Sequence, residues 1–136
     1  MERVFVDTDV VLDLLEERTP FYKSAAQLFS KADQNEISIL ISSLSFTTIH
    51  YVLRKKYAFS ESRKLLARFK VLVHVVAVDD KVIELALTSS INDFEDAVQY
   101  YAAIENKATA IVTRNLKDYK KASIPVMTAE GYLKSN

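Results

Sequence analysis

The chain has 136 residues, 18 basic and 18 acidic side chains, no net charge, and a composition that is 49% hydrophobic. That length and mix suit a single globular domain with a sizeable core and argue against disorder; any nucleic-acid contact must come from a local basic patch. The absence of cysteine excludes disulfides and thiolate metal sites and fits a reducing, cytoplasmic setting.

Short β-branched runs alternate with longer helical patterns along the chain. RVFV (3–6) reads as a buried strand, VVLDLLEE as a helical turn, and Thr19-Pro20 as a break. FYKSAAQLFSKADQ is amphipathic at helical spacing through Phe21, Ala25, Leu28 and Phe29. ISILIS (37–42) is the second strand, SLSFTTIHYVLRKK continues as a helix, and Ser60 opens another in SESRKLLARFK. VHVVAV (73–78) is the third strand, followed by DDKVIELALTS, a helix opened by aspartates. INDFEDAVQYYA (91–102) starts the next helix, TAIVT (109–113) is the fourth strand and IPVMT (124–128) a short fifth. This order predicts one α/β domain over residues 1–136, a three-layer α/β/α sandwich on a mainly parallel sheet of about five strands. The N-terminus MERVFVDTDV carries no cleavable apolar signal, and no apolar run approaches the roughly 20 residues that span a bilayer, so no membrane contact is expected.

The chemistry open to such a chain is narrow. A phosphate-binding loop or dinucleotide fingerprint needs several glycines, and Gly131 is the sole one. Two histidines disfavour a histidine-rich zinc site, which leaves oxygen ligands for hard cations such as Mg2+ or Mn2+. In open parallel sheets, ligands sit beyond the carboxyl ends of the strands. Asp7-Thr8-Asp9 follows strand one, Ser42-Ser43 strand two, Asp79-Asp80 strand three, and Arg114-Asn115 strand four, with Asp118 close behind. Each of these is also a preferred helix cap, so position alone does not separate a site from a cap.

The helix begun in INDFEDAVQYYA separates them. At 100° per residue, Phe94, Ala97, Val98, Tyr101 and Ile104 form a buried stripe. Asp93, Asp96 and Tyr100 share one flank, and Glu95 and Gln99 the other. Two carboxylates at i and i+3 repel unless a cation neutralises them. Asp93 and Asp96 therefore read as a site, and Glu95 as a surface acid favoured by the helix dipole.

VFVDTDVVLDLL, DFEDAVQYYAA and AIVTRNLKDY, in this order and at these spacings, resemble the PIN domain. The likeness extends through RTPFYKSAAQLF and ISSLSFTTIHYVLRK. The family includes the metal-dependent ribonucleases of VapC-type toxins. The resemblance implies an endoribonuclease with one or two Mg2+ or Mn2+ ions. Asp7 matches the family's strand-one metal ligand and Asp96 its helix aspartate, with Asp93 and Asp9 as neighbouring acids. Thr113, Arg114, Asn115 and Asp118 match the late motif, with Tyr119 in place of phenylalanine. Asp7, Asp93, Asp96 and Asp118 are thus the expected catalytic and metal-binding set, with Asp9 as a further ligand. Thr113 and Asn115 are expected to orient water or phosphate, and Arg114, Lys117, Lys120 and Lys121 to contact phosphate. RNA, a small antitoxin protein and a second copy of the chain are the implied partners.

One departure stands out. The glutamate that the family carries near Thr48 is missing, since no acid lies between Glu36 and Glu61. A PIN scaffold that binds RNA or protein without cleaving is therefore the rival expectation. VFVDTDVVL also fits the start of haloacid-dehalogenase-like phosphatases, but their glycine-rich loops are absent. His50 and His74 read as helix-surface and strand residues, Tyr51 and Tyr57 as packing or interface residues, and Tyr100 as a weak candidate for base stacking.

Overall fold

A computed structural model describes residues 1–135. Five parallel strands run in the order β3-β2-β1-β4-β5, with β1 at Arg3–Val6, β2 at Ser38–Ser42, β3 at His74–Val76, β4 at Ala110–Val112 and β5 at Val126–Met127. Seven α-helices connect and follow them: α1 Thr8–Leu15, α2 Tyr22–Asp33, α3 Ser43–Leu53, α4 Phe59–Lys70, α5 Asp80–Leu87, α6 Phe94–Glu105 and α7 Ala129–Ser135. A 3-10 turn spans Leu116–Tyr119.

Alternation along each strand divides the core into two halves. Val4, Val6, Ile39, Ile41 and Val112 face a cluster built with α1 to α4 and α7. Phe5, Leu40 and Ile111, the residues between, face a second cluster built with α5 and α6. Because successive side chains on a strand point to opposite faces, uninterrupted apolar runs are what a sheet covered on both sides requires. Each fully buried Ile, Leu or Val adds about 1.5–3 kcal/mol to folding before conformational entropy is subtracted.

β1 spans RVFV as read, whereas the other four strands are shorter than the runs that encode them. β3 ends at Val76 because the amide of Val78 donates to Ser43 Oγ (3.2 Å) rather than to a neighbouring strand. Helix α7 was not legible as a periodic segment, yet its Ala129 and Tyr132 belong to the first core cluster. Among the described residues, no helix is long and apolar enough to cross a membrane.

Strand order reverses direction around β1, whose neighbours are β2 and β4. The carboxyl ends of β1 and β4 thus flank the position where connections leave to opposite sides, which is where open α/β sheets bind ligands.

Candidate active site

Asp7 ends β1 and caps α1. Its Oδ1 accepts from the amide of Thr8 (2.8 Å), and its own amide donates to the carbonyl of Val112 on β4 (2.9 Å). Its Oδ2 accepts from Thr113 Oγ1 (2.9 Å) and from the Tyr119 hydroxyl (3.3 Å). Burial and the neighbouring Asp9 push the Asp7 carboxyl up to about 6, against the pull of these three donors. Burial and nearby carboxylates, Asp7 first, raise the Tyr119 phenol far above its usual range, so it remains a donor.

Asp96, in the first turn of α6, faces the same opening. Asn115 Nδ2 donates to Asp96 Oδ2 (3.4 Å) and also to Asp118 Oδ2, so one neutral amide bridges two carboxyl groups. Burial, a hydrogen bond with Asp118 and the charge of Asp7 push Asp96 up to about 8. A second carboxyl beside Asp96 opposes its ionisation, which adds to the effect of burial. An open cleft of about 240 Å³ is lined by Asp7, Asp96 and Asn115 together with Thr8, Asp9, Leu12, Arg18 and Glu95, and Asp118 is tied to it through Asn115.

The structure corrects several expectations. Asp93 is the N-cap of α6, and its Oδ1 accepts from the Asp96 amide (3.0 Å). It is absent from the cleft lining. Glu95 takes the place expected of it: burial and the charges of Asp7 and Asp93 raise its carboxyl. Gln99, one turn beyond Glu95, is 0% exposed and donates from Nε2 to Ser45 Oγ (2.9 Å) and Thr8 Oγ1 (3.3 Å). Phe94, placed in the buried stripe, is 48% exposed. The polar pair Glu95 and Gln99 at i and i+4 was the available signal, because it runs from the open cleft to the buried hydroxyls of Thr8 and Ser45.

Arg114 is held by partners within the chain. Its Nε pairs with Asp13 Oδ2 (3.0 Å), its guanidinium lies over the Phe21 ring (4.1 Å), and its amide donates to Asp9 Oδ2 (3.3 Å). Thr113 is committed as well: its hydroxyl donates to Asp7 and accepts from the Asn115 amide (3.0 Å). Thr113 and Arg114 are thus both engaged with carboxyl groups of the chain itself. Tyr100 is buried, with its hydroxyl bonded to Ser123, and cannot stack on a base. Lys117, Lys120 and Lys121 line a neighbouring hollow of about 240 Å³ with Asp118 and Asn92. Thr48, half-buried on α3, turns its hydroxyl to the Leu44 carbonyl (3.4 Å). Ser42 and Asp79 are helix caps.

A PIN domain family model matches residues 3–117. The chain belongs to the PIN domain family. It is 30% identical over 135 residues to Ribonuclease VapC1 of Aquifex aeolicus, covering 96% of this chain and 93% of that protein. Its fold is similar to DNA-bound VapBC from Salmonella typhimurium, with a TM-score of 0.71, 14% identity, and 95% and 99% of the two chains covered. It is also similar to Mycobacterium tuberculosis VapC20, a Sarcin-Ricin loop cleaving toxin, with a TM-score of 0.62, 16% identity, and 79% and 86% covered.

The donors of this PIN domain suit a hard divalent cation in kind, being oxygens of Asp7, Asp9, Glu95, Asp96 and Asp118. One of them, Asp9 Oδ1, is buried without a hydrogen-bond partner. Among the described residues, no three acidic, histidine or cysteine side chains are arranged to hold an ion. The Asn115 amide, rather than a cation, bridges Asp96 and Asp118.

Proposed function

We propose that residues 1–136 form one PIN domain that acts as a metal-dependent endoribonuclease of the VapC type, the toxin of a toxin–antitoxin pair. The observation that carries this reading is the convergence of Asp7, Glu95, Asp96 and Asp118, through Asn115, on one cleft at the sheet's switch point. The likeness to Ribonuclease VapC1 along nearly the whole chain supports the substrate class.

Asp7, Asp96, Asp118 and Asp9 would hold Mg2+ or Mn2+, and Glu95 supplies the carboxylate that the family places on α3 near Thr48. Such an ion lowers the pKa of a bound water and stabilises charge on the phosphoryl oxygens. The chain's own work is positional. Thr113, Tyr119 and the Thr8 amide hold Asp7 in one orientation. The buried contacts of Gln99 with Thr8 and Ser45 set α6, and with it Asp96, against α1 and α3. Asp96 retains its proton near neutral pH until positive charge enters the cleft. A small antitoxin and a second copy of the chain are the proposed partners.

Incubating purified protein with structured and unstructured RNAs, with and without EDTA, tests the reading. EDTA-sensitive internal cleavage that is lost in Asp7→Asn is the expected result. Cleavage that persists in EDTA, or that survives Asp7→Asn, overturns it.

A further inference from the structure

Half of a second surface is written in the charge distribution. Residues 54–70 hold seven of the chain's 18 basic side chains and, in Glu61, one of its 18 acidic ones. The segment joins the end of α3 to α4. Arg54, Lys55, Lys56, Arg63 and Lys64 are exposed, and among the described residues none has a carboxylate within ion-pairing distance. Aromatic rings are interleaved with these cations. The guanidinium groups of Arg54 and Arg63 lie 4.7 Å and 4.8 Å from the centroid of Phe59, Lys55 Nζ 5.0 Å from Tyr51, and Lys56 Nζ 5.7 Å from Tyr57. Tyr51 is 68% exposed and Phe59 52%.

A chain of zero net charge has no general reason to crowd unpaired cations around exposed rings. Like charges repel, and large exposed apolar groups favour a partner that covers them. Cations that track a phosphate backbone, combined with rings on which bases stack, are the two requirements of single-stranded nucleic-acid binding. An acidic peptide meets the first requirement and leaves the rings unused. We propose that the α3–α4 corner is an RNA-binding surface outside the cleft, with Lys55, Lys56 and Arg63 on phosphates and Tyr51 under a base. The proposal rests on the ribonuclease reading for its choice of RNA.

None of these residues lines the cleft. Ser45, at the start of α3, is hydrogen-bonded to Thr8 beside Asp7 (2.8 Å). At 1.5 Å per residue, the 11 residues of α3 carry the chain about 16 Å from that end to the corner. A strand that touches both the cleft and the corner must span at least that distance, so only RNA long enough to reach both gains from the corner. The corner therefore adds affinity for long RNA that the cleft by itself lacks.

The test is fluorescence anisotropy in EDTA, with a labelled long unstructured RNA, for wild type and a Lys55→Gln/Lys56→Gln/Arg63→Gln variant across a salt series. The variant is expected to bind at least tenfold more weakly, with the slope of log affinity against log salt shallower by about 2, as loss of three phosphate contacts to a single strand requires. A charge-keeping variant, Lys55→Arg/Lys56→Arg/Arg63→Lys, is expected to bind within about twofold of wild type, and Tyr51→Ala about tenfold more weakly. Unchanged affinity in the neutralised variant overturns the proposal. So does equal loss in the charge-keeping variant, which marks a damaged fold. An oligoglutamate peptide that binds as tightly as RNA, with Tyr51→Ala having no effect, makes the corner a protein-docking site and also overturns it. Cleavage by the wild-type protein is read separately, so failure of the ribonuclease reading is distinguishable from failure of this surface.

Discussion

Tyr119 donates its hydroxyl to Asp7 Oδ2 across 3.3 Å of buried space, linking the 3-10 turn after β4 to the end of β1. Where the family pattern has phenylalanine, this chain has a second donor on its central carboxylate beside Thr113. Tyr119→Phe removes a bond that holds the Asp7 carboxyl down, so its pKa rises further above its usual value. The acidic limb of the pH–rate profile for RNA cleavage is expected to move to higher pH. Stability is expected to fall by about 0.5–1.5 kcal/mol, the usual net worth of one hydrogen bond. An unmoved limb would show that Tyr119 merely fills space.

The raised acids make a prediction about pH and folding. Asp7 titrates near 6 and Asp96 near 8 in the folded chain, against 3.8 as the ordinary value of each. The folded state thus holds protons more tightly, and the stabilising contribution is complete below about pH 4. It is lost as pH rises, through about 6 for Asp7 and on through about 8 for Asp96. The Asp7 part amounts to about 3 kcal/mol from its shift at 1.36 kcal/mol per unit. Thermal melts in EDTA are expected to show the midpoint falling between pH 5 and 8 in wild type and falling less in Asp96→Asn. Mn2+ is expected to raise the wild-type midpoint and to leave that of Asp96→Asn nearly unchanged. A wild-type midpoint that climbs over this range contradicts the arrangement of the cleft.

Adjacent acids on α6 are expected to behave in opposite ways. Glu95→Gln removes a carboxylate from the cleft, and with it most of the Mn2+-induced rise in melting midpoint. Asp93→Asn keeps a good cap and retains both stability and Mn2+ response, whereas Asp93→Ala loses about 1 kcal/mol of stability through its lost bond to the Asp96 amide. Differential scanning fluorimetry with and without Mn2+ reads all three. Loss of the Mn2+ response in Asp93→Asn rather than in Glu95→Gln restores the reading that the helical wheel first suggests.

Gln99 offers a test of how the cleft is held. Its amide nitrogen satisfies two hydroxyls in a place with no solvent access. Gln99→Met keeps the volume and strips the donor, leaving Ser45 and Thr8 short of a partner. Urea unfolding is expected to show a loss of about 1–3 kcal/mol. The catalytic rate is expected to drop more than the apparent substrate affinity, because Asp96 shifts relative to Asp7 while the RNA contacts remain. A fall in affinity with an unchanged rate would place Gln99 outside the positioning of the acids.

The sequence by itself determined the layers of this protein. RVFV, the apolar core of ISILIS and AIV are continuous because both faces of the sheet are covered, and the helical spacing around Leu28 and Phe29 names the face that packs. The pairing of Asp7 with Asp96 came from the resemblance carried by VFVDTDVVLDLL and DFEDAVQYYAA, since an acid after a buried strand is as readily a helix cap, and Asp7 is one. Tertiary structure decided what each polar group touches. Asp93 and Asp96 lie near each other on a helical wheel, but one is spent on the other's amide because the first turn of a helix has amides to satisfy. Gln99 faces inward because its amide meets hydroxyls at the starts of α1 and α3, and Glu95, a turn earlier, lies at the cleft, which no local pattern states. Arg114 turns to Asp13 and Phe21, residues some hundred positions away in the chain, since a buried carboxylate binds a nearby guanidinium more strongly than open solvent does. Periodicity encodes burial; the partner of a buried charge depends on which helices the sheet order brings together.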